Sequence, residues 1–462
     1  MRAGRYLKGE FMKSAAPSKS SILNMTEGNP LSLIAKFAVP MLIGNLFQQL
    51  YNLADSVIVG KLIGSDALAA VGATNSITFL FFALCNGIGS GGGIITSQYF
   101  GRGDEEKVKR CIANTAYIMF IFPLIVGIAA FFLSAPILHL MKTPDEVFAD
   151  SLQYMQINCI GIVFVSLYNY ASSMLRALGD SKTPLYFLIF SCFLNIGLDI
   201  LFVYCFHWGV AGAAYATIIA QFISGITCLV YALSTNPYFK FSKENMKVDA
   251  GIIVPVIKLG IPLSLQFSLI AISCMALQRV VNGFGPAAMA AFNATSRVEQ
   301  LIHQPYSTLG SSLSTFTGQN YGAAKSDRVI KGYHVSVAIM LVFSIVMLPV
   351  MQFGSTGIMK LFVDKPDVIT MGAHALKITS YFYVFLGVIY VVRGVLNGLG
   401  DAFFALLNGI VEVLGRFTVP IWLTGMASIG LWGIWWSVGV VWFVSGFTAW
   451  LRYLAFSKKA LK

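Results

Sequence analysis

Charge is what this sequence has least of. Only 11% of its 462 residues are charged, against roughly 25% in ordinary soluble domains, which excludes a conventional water-exposed surface. Histidine is also scarce, at five residues, and no metal-ligand spacing or paired nucleophile and base accompanies them, which argues against an enzyme. The seven cysteines, Cys85, Cys111, Cys159, Cys192, Cys205, Cys228 and Cys274, stand singly in or at the ends of apolar stretches. Without paired spacing they read as packing residues. The run from Gly87 to Gly93 lacks the Lys-Ser or Lys-Thr of a phosphate loop and lies inside an apolar stretch, so it reads as an element for close helix packing or bending. No nucleotide-binding domain is present, so any uphill process must draw on an ion gradient.

What the chain does have is apolar length. Apolar residues make up 56% of it, with a mean hydropathy of +0.73. A helix needs about 20 apolar residues to cross a bilayer core. Twelve candidate spans can be drawn, over 31–60, 67–97, 111–134, 147–176, 183–205, 209–234, 251–282, 287–317, 332–357, 368–397, 402–425 and 429–455. Several are long enough to require tilt, kinks or projection beyond the membrane. Pro40 and Pro262, in the first span of each half, are the expected kink points.

The two halves repeat each other at an offset of 221 residues. Ala73-Thr74 falls on Ala294-Thr295, Gln98 and Gly101 on Gln319 and Gly322, Leu178-Gly179-Asp180 on Leu399-Gly400-Asp401, and Gly209 and Gly212 on Gly430 and Gly433. A repeat of this size in an apolar chain predicts an all-α polytopic membrane protein with twelve transmembrane helices in two six-helix lobes, and with it a transporter architecture. Six spans per repeat is even, so the repeats are parallel. The expected organisation is an N-terminal tail (1–30), an N-lobe (31–235), a linker (236–250), a C-lobe (251–455) and a C-terminal tail (456–462).

Basic residues orient the spans. With the N-terminus inside, the cytoplasmic loops and termini collect most of the Lys and Arg, including Arg102, Lys107, Lys109, Arg110, Lys325, Arg328 and Lys331. The other side holds Lys61, Lys142, Arg279, Lys360 and Lys365. Both termini are therefore expected in the cytoplasm, with the chain multi-pass in the inner (plasma) membrane. The net charge of +12 is spread over short loops, so topology and anionic lipid account for it better than nucleic acid does.

Ionisable groups inside a bilayer are functional by default. Asp55 ends the first span about one and a half turns below the outer surface, and Asp199 lies about two turns deep in the fifth. Asn195 precedes Asp199 by four residues and shares its helix face, while Thr217 in the sixth span reaches a comparable depth. Two carboxylates close together in a low-dielectric site cannot both ionise cheaply, so the pair should titrate jointly and can hold a proton. With the Asn195 amide and the Thr217 hydroxyl, the same groups offer an all-oxygen cage to sodium. The second half has no counterparts, since positions 276, 416 and 420 are Ala, Arg and Pro.

The two parallel repeats, the stretch from Pro40 to Asp55-Ser-Val-Ile-Val-Gly60, the Gly-Gln-Asn-Tyr-Gly run at 318–322 and the paired Leu-Gly-Asp turns resemble the multidrug and toxic compound extrusion (MATE) family, over about residues 30–455, and within it the DinF-like branch. The resemblance implies a monomeric antiporter that exports organic cations and drugs by alternating access. No cofactor is implied beyond the coupling ion, H+ or Na+. Asp55, Asn195, Asp199 and Thr217 match the branch's cation-site residues, Pro40 matches its bending proline, and Tyr154 and Gln48 match polar neighbours of that site. The acidic residues that NorM-like members carry in helices 7 and 10 are missing here. Candidate cavity positions are Gln48, Asn52, Asn169, Tyr170, Met174, Gln266 and Glu299. Glu412 and Arg416, one turn apart, are expected to form a structural ion pair, and Glu299 is expected near Arg297 and His303. A lipid-linked oligosaccharide flippase or a narrow-specificity metabolite exporter shares the architecture, although the flippase favours a strongly basic cavity.

Overall fold

A computed structural model describes residues 22–141 and 143–460. The N-lobe comprises α1 (Pro30–Leu62), α2 (Ser65–Arg102), α3 (Glu105–Leu140), α4 (Asp145–Ala177), α5 (Lys182–Asp199) and α6 (Gly209–Thr235). The C-lobe comprises α7 (Ala250–Asn282), α8 (Pro286–Gly322), α9 (Ser326–Lys360), α10 (Pro366–Ser380), α11 (Tyr383–Leu399), α12 (Ala402–Thr424) and α13 (Gly433–Ala460). The tenth span is two helices, α10 and α11, bent by 53° at Tyr381-Phe382. Among the described residues ten helices are long and apolar enough to cross a bilayer by themselves, and the bent pair passes the same test jointly. The remaining span, the eighth (α8), is more polar and packs against α1, α2, α9, α10 and α11.

Local chemistry sets the ends. Asn29 accepts from the Leu31 amide with Pro30 at the first helical position, Asp104 accepts from Lys107 N, and Asp249 accepts from Gly251 N; each pairs an orphan donor at a helix start. The paired Leu-Gly-Asp turns place Gly179 at φ 85° and Gly400 at φ 91°, a left-handed conformation that glycine adopts without steric cost. Both α1 and α7 run through Pro40 and Pro262 as continuous helices. α5 passes directly into a π-helical turn, Ile200–Cys205, so the fifth span is not uniform α-helix.

The glycine-rich stretch of α2 is a packing surface. Any side chain at Gly87 would meet the backbone of Ser264, and one at Gly91 would meet Gly260 and the Val256 carbonyl. The lobes also touch where Asn45 Nδ2 donates to Thr308 Oγ1 at 3.0 Å. At the end that carries both termini the contact is two-fold. A side chain at Gly101 would collide with the Gln319 carbonyl, and one at Gly322 with the Gln98 carbonyl. Gln98 Nε2 donates to the Gly398 carbonyl at 2.9 Å, and Gln319 Nε2 to the Ala177 carbonyl at 3.0 Å.

Toward the other end the lobes part. Gly260 and Ser264 face α2, and Phe267 and Cys274 continue the same helical stripe, yet both are exposed. On α1, Asn45 faces α8, Gln48 is half-buried and Asn52, a turn further along that stripe, is exposed. The molecule is thus closed at the terminus-bearing end and open between the lobes beyond mid-depth.

Of the N-terminal tail, residues 1–21 lie outside the described residues, and residues 22–29 are anchored through the buried Met25 and Thr26. Met25 is fully buried; its amide donates to Gln319 Oε1 at 2.9 Å, and its carbonyl accepts from Asn320 Nδ2 and Arg328 Nη2. The linker is clamped to α3. Asn245 Nδ2 donates to Glu106 at 2.6 Å, Asn114 Nδ2 to the Lys247 carbonyl and Tyr117 to the Met246 carbonyl.

Candidate functional site: a carboxylate pair in the N-lobe

α1, α5 and α6 bring the four predicted polar residues together, and α4 closes the site. The carboxyl groups of Asp55 and Asp199 face each other within side-chain hydrogen-bonding reach. Asp199 is wholly buried, Asn195 nearly so, and Asp55 and Thr217 are half-buried. The Asn195 amide satisfies its surroundings with its nitrogen toward Asp199, donating to Oδ2 at 2.8 Å, while its oxygen accepts from Thr217 N at 3.1 Å. Thr217 Oγ1 lies 3.4 Å from the Tyr51 hydroxyl. Tyr154 and Tyr51 are both buried and both feel the charge of Asp55 and of Asp199.

Two local features explain the convergence. The i, i+4 spacing stacks Asn195 on Asp199 along one face of α5. Asp199 is also the last residue before the π-helical turn, and such turns commonly accompany functional positions. Asp55 Oδ1 and Asp199 Oδ1 are buried without a partner among the described residues. Leaving buried carboxylate oxygens unpaired is costly, and these two are the donor set that a proton or a monovalent cation fits. No group of three or more His, Cys, Asp or Glu occurs among the described residues, so the site does not offer the carboxylate-rich shell typical of a divalent ion.

Tyr51 was not singled out from the sequence. Its signal was the four-residue spacing to Asp55, which puts both on one face of α1. Three of the substrate-cavity candidates, Tyr170, Met174 and Gln266, are packed inside the lobes rather than open to a cavity. Tyr170 and Met174 lie in the closed N-lobe core, where the Tyr170 hydroxyl donates to the Ile112 carbonyl at 3.0 Å and Met174 Sδ sits 3.5 Å from Thr96 Oγ1. Gln266 is buried inside the C-lobe, with its amide oxygen best turned to accept from Arg393. Asn52 is exposed, Gln48 and Asn169 are half-buried, and Pro40 is buried within α1.

The expected Glu412–Arg416 pair is also corrected. Glu412 bonds to Arg393 on α11, and Arg393 Nε in turn bonds to Asn408 Oδ1 at 2.8 Å. Arg416 Nη1 reaches Cys274 Sγ instead, at 2.9 Å. Arg297 is exposed, whereas Glu299 points into the C-lobe beside Thr379.

With this geometry in place, the MatE family profile matches residues 40–201 and 262–419, one segment in each lobe. The chain belongs to the MatE family. It is a multi-pass membrane transporter-family protein and not an enzyme. It is 33% identical over 445 residues to the probable multidrug resistance protein YpnP of Bacillus subtilis, covering 95% of this chain and 98% of that protein. It is 23% identical over 423 residues to the multidrug export protein MepA of Staphylococcus haemolyticus, covering 92% and 93%. A solved structure described as the outward-facing conformation of a multidrug resistance MATE family transporter superposes with a TM-score of 0.87 at 22% identity, covering 96% of this chain and 99% of that one. This MatE protein thus has the two-lobe fold of its solved relatives, with the carboxylate pair confined to its N-lobe.

Proposed function

We propose that this MatE protein exports organic cations and other amphipathic drugs by antiport, with the Asp55–Asp199 pair as the coupling site. The observation that carries the reading is the direct approach of two carboxyl groups, each with one buried, unpartnered oxygen. Two carboxyls at this approach repel each other when both are ionised, and one shared proton relieves the repulsion, which favours H+ as the coupling ion over Na+. Multidrug names on the curated relatives support the substrate class.

In the proposed cycle the two lobes rock about the α2–α7 and α2–α8 contacts. The external gradient loads a proton onto the pair, Asp199 keeps its Asn195 donor, and the charge of Asp55 is neutralised. α1 carries the change toward Pro40, where the missing amide leaves a carbonyl one turn earlier without its helical donor and makes bending cheap. The drug-holding state is disfavoured, substrate leaves outward, and the transporter returns carrying the ion. Linkage requires only that ion and drug prefer different states. The protein works as a monomer in the plasma membrane with both termini in the cytoplasm.

Ethidium export from proteoliposomes under separately imposed proton and sodium gradients tests this. Export driven by the proton gradient alone supports the reading. Export driven only by sodium would reassign the ion to the same cage, and export by neither would turn attention to a lipid-linked or narrow metabolite substrate.

A further inference from the structure

The C-lobe contains a second buried carboxyl that the coupling site does not use. Glu299 Oε1 is buried without a hydrogen-bond partner among the described residues, and Glu299 makes no ion pair among them either. The basic groups near it are engaged or turned away. Arg393 closes on Glu412, and Arg416 gives its Nη1 to Cys274 while its Nε stays unpartnered. His303, one turn along α8, lies toward Tyr390, with Nδ1 at 3.4 Å from that hydroxyl. From α10 comes Thr379, within side-chain hydrogen-bonding reach of Glu299, and from α11 Tyr383, whose buried hydroxyl also lacks a partner.

We propose that Glu299 is a second proton-binding carboxyl, set in the C-lobe and flanked by Thr379 and Tyr383. An ionised oxygen at this depth with no donor carries a large desolvation penalty, which a proton removes. A metal cation does not fit the same place, because there is one carboxylate rather than several. A proton needs only the one oxygen, and it removes the charge without a shell of further ligands. The lobe that lacks any counterpart of Asp55 and Asp199 thereby gains its own protonatable group, and a cycle that discharges both sites moves more than one proton per drug. That consequence rests on the antiport reading; the existence of the site does not.

Infrared difference spectroscopy of the full-length protein in lipid, between neutral and alkaline pH, reads the site directly. The expected result is a protonated-carboxyl C=O band that Glu299→Gln abolishes and that Asp55→Asn and Asp199→Asn leave in place. Tyr383→Phe and Thr379→Val should shift that band without removing it, which keeps the test valid if Glu299→Gln folds poorly. A band set unchanged in Glu299→Gln, or unmoved by both neighbouring substitutions, overturns the proposal and makes Glu299 an ionised neighbour of Arg416. If proteoliposome export fails while the Glu299 band is found, the antiport reading falls and the proton site stands.

Discussion

Gln98 and Gln319, 221 residues apart in the chain, make the same bond in opposite directions. Gln98 donates to the Gly398 carbonyl of the C-lobe, and Gln319 donates to the Ala177 carbonyl of the N-lobe; Ala177 and Gly398 are themselves 221 apart. The internal repeat is therefore read out as a two-fold seal at the terminus-bearing end, made of side-chain amides and backbone carbonyls. The symmetry is broken at one point, because Gln319 also accepts from the Met25 amide.

That asymmetry predicts unequal variants. Gln98→Ala removes one inter-lobe bond, whereas Gln319→Ala removes one and also one of the bonds that hold the segment around Met25. At a net of about 0.5–1.5 kcal/mol per hydrogen bond, each lost bond should shift the closed end toward opening by roughly two- to tenfold. Spin-label distances across the loops after α2 and α8 should show the broader, longer distribution in Gln319→Ala. Equal distributions in the two variants would mean that the Met25 segment contributes nothing to closure.

Gly101 and Gly322 set the approach of the backbones. Gly101→Leu should hold the lobes apart, because its side chain would occupy the place of the Gln319 carbonyl. Protein yield and helicity should stay near wild type while ethidium export falls by an order of magnitude or more. Export at the wild-type rate would show that this end need not close as tightly as the structure has it.

The Arg393–Glu412 pair is buried and tied to Asn408 and Ser445. Removing one partner leaves an uncompensated charge, so Arg393→Met should destabilise by about 3–5 kcal/mol. The double variant Arg393→Met/Glu412→Leu should recover most of the loss. Thermal unfolding in detergent checks this, and a double variant no better than the single would place the pair outside the stabilising network.

Residues 23–29 link Gln319, Asn320 and Arg328 into one network, with Arg328 Nη1 reaching the Gly28 carbonyl at 2.9 Å. Arg328→Ala should raise proteolytic cleavage within this segment several-fold without changing Tm by more than a few degrees, because it removes only polar bonds and leaves Met25 in the apolar core. Limited proteolysis followed by mass spectrometry reads the cleavage site.

Helical periodicity and span depth made the site legible in advance: Asp55, Asn195, Asp199 and Thr217 converge because apolar runs fixed where each helix crosses, and spacing fixed which face each residue shares. Neither measure says what lies against a face. Tyr170 and Met174 sit on polar-looking stretches of α4, but α2 and α3 cover them. Glu412 and Arg416 are properly spaced for a pair along one helix, yet Arg393 from α11 comes closer, and no local spacing encodes a partner on another helix. The break at Tyr381-Phe382 carries no proline or glycine, so nothing in the chain announced it. The repeat offset is legible in the chain, whereas the bonds that Gln98 and Gln319 make depend on how the two lobes are set against each other.

In the proposed cycle Asp55 and Asp199 couple the ion to the drug rather than bind the drug itself. Ethidium counterflow, which exchanges labelled for unlabelled drug without a gradient, should be compared with proton-driven export in Asp55→Asn and Asp199→Asn. Driven export lost in both, with counterflow within about threefold of wild type, is the predicted result, because linkage separates the ion step from the drug step. Driven export retained in both variants, still rising as the external side is acidified, would contradict the account.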